Sequence, residues 1–248
     1  MIRIARAALP TDLDHRLTAL TADIAKAALD QRAAEARKLW RRKSTREQVH
    51  HRLDGVLRQM APGLERCMYC GDNQGTDIDH FEPLTRNPLR TFDWLNHLLA
   101  CALCNSHNKR DRFPVDGDGQ PLLIDPTVED PFDHLSLTLS LGRYVSLSAK
   151  GRATIEVCDL NRPILQRGRV NSRTNVESSL LRWTAAQYSE DPMEMTKIIR
   201  TVREQPCADV CQAMLRQAVG PNAEIVFSET PAVLAVLRLP ELRTALLR

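Results

Sequence analysis

The chain of 248 residues has no apolar run near the ~20 residues that a helix needs to cross a bilayer. Residues 1–10 carry Arg3 and Arg6 without the apolar stretch of a signal peptide, so the expected location is the cytoplasm. Internal repeats, low-complexity tracts and long Gly/Ser linkers are also lacking, which excludes a solenoid array and leaves no sharp domain boundary to read. Charge of one sign is nearly absent in the sum, at a net +3. With 43% hydrophobic and 26% charged residues, the balance is that of an ordinary globular protein able to bury a core.

What charge there is lies unevenly. Arg32, Arg37, Lys38, Arg41, Arg42, Lys43 and Arg46 crowd a short segment against the single acid Glu35, a strip on which a polyanion can settle. Most such runs are only solvated helix faces, so the motif downstream has to decide. The segment sits in a helical N-terminal region. An Ala- and Leu-rich stretch spans Leu13 to Leu39, and Ser44 with Glu47 has the spacing of a capping box. Val49, Leu53, Val56, Leu57 and Met60 then recur at helical spacing, and Pro62-Gly63 ends the helix.

From Cys67 to Arg112 the pattern turns to short, turn-rich segments. Leu137, Leu139 and Leu141, then 144–147, then 154–157, alternate as three short strands with turns at Gly142 and Gly151, a small antiparallel β-meander. Helices return after about Arg162, with start signals at Asp191-Pro192-Met193-Glu194 and at Thr230-Pro231. The chain therefore reads as α+β, with an N-terminal helical region over 1–62, a central core over 63–135, and a meander followed by helices over 136–248.

Thiols stay reduced in the cytoplasm, so seven cysteines point to metal ligands or small buried hydrophobes rather than disulfides. Cys67 and Cys70 form one C-x2-C pair and Cys101 and Cys104 another, 30 residues apart. Two such pairs complete a closed tetrahedral thiolate sphere, which suits a structural Zn2+ with no open position for water. Cys158, Cys207 and Cys211 read as buried small side chains.

Between the pairs stand Asp77-Ile78-Asp79-His80-Phe81-Glu82-Pro83 and Trp94-Leu95-Asn96-His97, and after the second pair Asn105-Ser106-His107-Asn108-Lys109. This order resembles the zinc-containing branch of the HNH endonuclease family. The resemblance implies a ββα-metal core in which His80 is the general base, Asp79 a ligand of a catalytic Mg2+ or Mn2+, Asn96 the brace of the connecting loop, and Asn105 the second ligand, with Asn108 as its rival. One spacing departs from the family pattern. Lys109 follows Asn105 by four residues, where the family has three.

The chemistry is coherent without the family name. Phosphodiester hydrolysis needs a base for the attacking water and relief of charge on the phosphate, and a neutral imidazole can supply the first. Lys109, Arg110 and Arg112, with Arg41, Arg42 and Arg46, are the expected phosphate contacts. Further on, Arg112-Phe113-Pro114, 122–126 and 130–135 resemble stand-alone bacterial HNH nucleases of the PtuB type, from Septu-like anti-phage systems. That resemblance implies a separate ATPase partner. DNA is the expected substrate with RNA the alternative, and the competing readings are a non-catalytic zinc module that binds nucleic acid and a subunit that only docks an ATPase.

Overall fold

A computed structural model describes residues 1–247. The architecture is α+β: among the described residues eleven α- or π-helical segments, besides four short 3-10 turns, surround two separate two-stranded antiparallel sheets. No helix is long and apolar enough to cross a membrane.

The N-terminal region holds α1 (Thr11–Ala25), α2 (Arg32–Arg41) and α3 (residues 43–60). The Ala/Leu-rich stretch is thus two helices, broken at 26–31. Leu13, Leu17, Leu20 and Ile24 of α1 share one stripe and meet Ala36 and Leu39 of α2 and Val49 and Leu53 of α3. Phe92, from the central region, completes this small core. The capping box expected at Ser44 is absent. Arg42 is the extended residue before α3, no side chain caps it, and Ser44 lies inside the first turn. At 46–50 α3 makes a π-helical turn, with the His51 N–H reaching back to the Arg46 carbonyl.

The central sheet pairs β1 (Asp77–His80) with β2 (His97–Ala100), in the register Asp77 to Ala100 and His80 to His97. A second π-helical segment, α4 (Leu103–Lys109), follows at once. Its i→i+5 bonds run from His107 N to Ala102 O (3.0 Å) and from Arg110 N to Asn105 O (2.8 Å). A π turn holds one residue more than an α turn. Lys109, at the end of this segment, is fully buried.

The expected three-strand meander is corrected to a hairpin and a helix. β3 (Leu135–Thr138) and β4 (Arg143–Ser146) pair, but 154–157 belongs to α5 (Ala149–Cys158). Ser148 decides this: its side chain accepts the Gly151 N–H as an N-cap, and Thr154, Val157 and Cys158 then fall on one buried helical face. His134 holds the same corner, with Nδ1 on Ser148 Oγ and Nε2 on Glu129 Oε2.

The C-terminal helices build the larger core. α6 (Pro163–Tyr188) buries Leu165, Arg169, Ser172, Val176, Leu180 and Trp183 along one stripe. α7 (Pro192–Glu204) begins as its sequence signals, with the Asp191 carboxylate accepting from Glu194 N at 3.0 Å. α8 (Ala208–Gln217), α9 (Ala223–Val226), α10 (Pro231–Leu237) and α11 (Pro240–Leu247) close around it. Asp209 is buried among Arg169, Tyr144 and the Met1 amine, so its carboxyl stays ionised despite burial. This core is continuous with the cysteine cluster and with Leu98 and Leu99 of β2.

Candidate functional site

Cys67, Cys70, Cys101 and Cys104 come together with all four sulfurs within 4.8 Å of one another, and all four are buried. The turn between the first two is made by local hydrogen bonding, from Gly71 N to Cys67 O and from Cys67 N to Asn73 O. Gly71 takes φ +69°, which favours a residue without Cβ. The second pair sits where β2 ends and α4 begins. A soft tetrahedral ion fits this donor set, and zinc is the natural occupant. Four thiolates around Zn2+ carry a net double negative charge, and two groups already face it: Arg162 Nη1 lies 3.6 Å from Cys104 Sγ and Asn73 Nδ2 lies 3.6 Å from Cys101 Sγ.

Side chains alternate along a strand, so β1 presents two different faces. Ile78 and His80 turn toward the N-terminal helices, while Asp77 and Asp79 turn toward α4. His80 Nε2 lies 3.0 Å from the Thr91 carbonyl. A carbonyl only accepts, so Nε2 carries the proton and Nδ1 keeps its lone pair. Among the described residues Nδ1 makes no hydrogen bond. Burial pushes the His80 pKa down to about 4, with Lys109 adding to the effect and the Thr91 bond opposing it, so the ring is neutral near pH 7.

The Thr91 carbonyl also receives His97 Nε2 at 3.0 Å, so one oxygen orients both histidines of a cross-strand pair. Trp40, at the end of α2, packs on His80 (centroids 4.4 Å apart), on His97 (5.5 Å) and on His50 from the π turn of α3 (4.0 Å). Asn96 is fully buried and its amide is saturated. Oδ1 accepts from Glu82 N at 2.7 Å, and Nδ2 donates to Glu82 O and Arg90 O, tying together the loop that delivers Thr91.

On the other face Asp79 is 3% exposed and both its oxygens are engaged. Tyr69, from within the first cysteine turn, donates its hydroxyl to Oδ2 at 2.6 Å, and Lys109 Nζ lies 3.0 Å from Oδ1. Lys109 also donates to the His80 carbonyl at 2.7 Å. Asn105 makes its side-chain hydrogen bond to Asp77 rather than to Asp79. Its Nδ2 donates to Asp77 Oδ2 at 3.2 Å, where Ser106 Oγ also donates at 3.0 Å. The backbone carbonyl of Asn108 accepts from Arg112, whose guanidinium also reaches Val157 O. No hydrogen bond joins Asp79, Asn105 and Asn108 to one another among the described residues. Lys109 is an internal cation rather than a surface one, and Arg41, Arg42, Arg46 and Arg110 are exposed.

No family model matches the chain. Among curated proteins it is similar to the Septu protein PtuB of Bacillus mycoides (strain KBAB4), 24% identical over 152 residues, a match covering 49% of this chain and 51% of that protein. The chain thus spans about half the length of this relative. The similarity links it distantly to a Septu protein, and the four-cysteine cluster stands beside that link.

Tyr69, Thr91, Trp40 and His50 escaped the reading of the sequence. Tyr69 had one signal, its place inside the C-x2-C turn. Thr91, Trp40 and His50 had none, because only tertiary packing brings them to His80.

Proposed function

We propose that the chain is an HNH-type endonuclease, with β1, β2 and α4 as its ββα core, that hydrolyses phosphodiester bonds of DNA as an effector of anti-phage defence. The observation that carries this reading is the His80 ring. It is neutral, its Nε2–H is fixed on Thr91, and its Nδ1 lone pair is free to take a proton from an attacking water. The exposed cations Arg41, Arg42, Arg46 and Arg110 are the candidates to hold the phosphate backbone. The similarity to a Septu protein supports the defence role, and the family resemblance adds a separate ATPase as partner.

The zinc site fits its ion, but the Asp79 carboxylate, expected to help hold a catalytic Mg2+ or Mn2+, does not. Asp79 lies against an ammonium group that repels a second cation, and Asn105 turns to Asp77. No step is therefore routed through that ion. What remains to the chain's own residues is proton transfer at His80 and the positioning of phosphate by arginine.

The test is plasmid nicking and linearisation by the purified chain with Mg2+ or Mn2+, beside His80→Ala, with zinc measured in both. Cleavage lost in a zinc-loaded variant supports the reading. The seclusion of Asp79 favours a second reading, a zinc module that binds nucleic acid without cutting it, and this predicts binding without cleavage of DNA or RNA.

A further inference from the structure

We infer that Asp79 is a positioning residue rather than a ligand of a catalytic ion: with Tyr69 and Lys109 it forms a buried latch that holds the His80 strand against the cysteine turn and α4. The role assigned to His80 rests on the proposed nuclease reading, whereas the latch itself is read from geometry.

Three separate pieces of chain meet at Asp79. Tyr69 is fully buried and comes from between Cys67 and Cys70, Asp79 from β1, and Lys109 from the end of α4. The hydroxyl at 2.6 Å and the ammonium at 3.0 Å occupy opposite oxygens of one carboxylate. Lys109 has a second task, since its 2.7 Å bond to the His80 carbonyl fixes the backbone that carries the imidazole. From the other side, Thr91 fixes the ring itself. The base is thus held at two points, one through its carbonyl and one through Nε2.

A metal ligand would look different. Divalent magnesium or manganese keeps several waters and needs carboxylate oxygen facing solvent or substrate phosphate. Asp79 faces neither, and any ion reaching it would displace Lys109 into a buried space without another carboxylate among its partners. Within the π turn of α4, Lys109 lies on Asp79 while Asn105 remains at Asp77.

The experiment uses the full zinc-loaded chain, Asp79→Asn, and the charge-neutral pair Asp79→Asn/Lys109→Gln in case the single variant folds poorly. Two readouts independent of cleavage are taken: Mn2+ binding by the loss of its free-ion paramagnetic resonance signal, and the imidazole 15N shifts of His80. The expected result is Mn2+ binding unchanged from wild type, with His80 nitrogen signals shifted or broadened as its hold is loosened. Mn2+ affinity lowered by about tenfold or more in either variant, the scale of a lost metal-site residue, overturns the inference. So do His80 signals identical to those of wild type. Failure of the nuclease reading appears elsewhere, as absent plasmid cleavage by wild type, and leaves both readouts interpretable.

Discussion

Trp40 stands edge-on to His80, with ring centroids 4.4 Å apart and planes at 63°, so the side chain that closes over the proposed base comes from the N-terminal helices and not from the hairpin. The low pKa of His80 follows mainly from burial, and Trp40 supplies part of that cover. In Trp40→Ala the His80 pKa should rise from about 4 toward 6.5, read by NMR titration of the imidazole. Because Trp40 is only half-buried, stability should fall by about 2 kcal/mol, less than for a fully buried aromatic. An unchanged titration would show that Trp40 contributes nothing to the seclusion of His80.

His50 and His80 are both held to about 4, and His97 is held well below its usual value, chiefly by burial. In the unfolded chain the same imidazoles take up protons as the pH falls through about 6.5. Between those values the unfolded state binds more protons, so stability is lost as the pH drops from about 6.5 toward 4 and is insensitive to these groups above 6.5. For His80 alone the ceiling is about 3 kcal/mol. Urea midpoints measured from pH 7.5 down to 4.5, with zinc content followed in parallel, should decline, and the decline should flatten in His80→Gln. A slope identical in that variant assigns the acid sensitivity to other groups.

What could be read from the sequence was local. The C-x2-C turns and the Asp191-Pro192 helix start depend on residues a few positions apart, and the folded chain keeps both. The strand assigned to 154–157 failed for the same reason in reverse. Its alternation is short enough to fit either period, and Ser148, some residues upstream, settles it as a helix. Adjacent residues in a strand face opposite ways, so the side chains of Asp79 and His80 meet different partners along β1. Which partners each would meet depends on Tyr69, Lys109, Trp40 and Thr91, and no spacing rule links these to the motif.

Zinc should act as a staple of the central region rather than as the source of the whole fold. The cysteines join the 67–70 turn to the junction of β2 and α4, whereas α1–α3 hold a separate apolar cluster with Phe92. Cys101→Ser should lose bound zinc and lower the thermal midpoint, while far-UV circular dichroism retains most of its helical signal. Complete loss of helix on chelation would mean that the N-terminal cluster cannot stand without the staple.

Arg41, Arg42 and Arg46 are exposed and border the Trp40 edge of the site, around the extended residue that joins α2 to α3. If they hold the backbone of a duplex, each contact releases counterion, and the plot of log affinity against log salt loses about 0.9 of slope per contact removed. The triple Ser variant should therefore bind a short DNA duplex more weakly, with a slope shallower by about 2 to 3, and with a sequence preference no different from wild type. His80→Ala should bind with the wild-type slope, because a neutral imidazole displaces no counterion. An unaltered slope in the triple variant would make the cationic run a solvated helix face, and would move the search for the substrate track to Arg110 at the exit of α4.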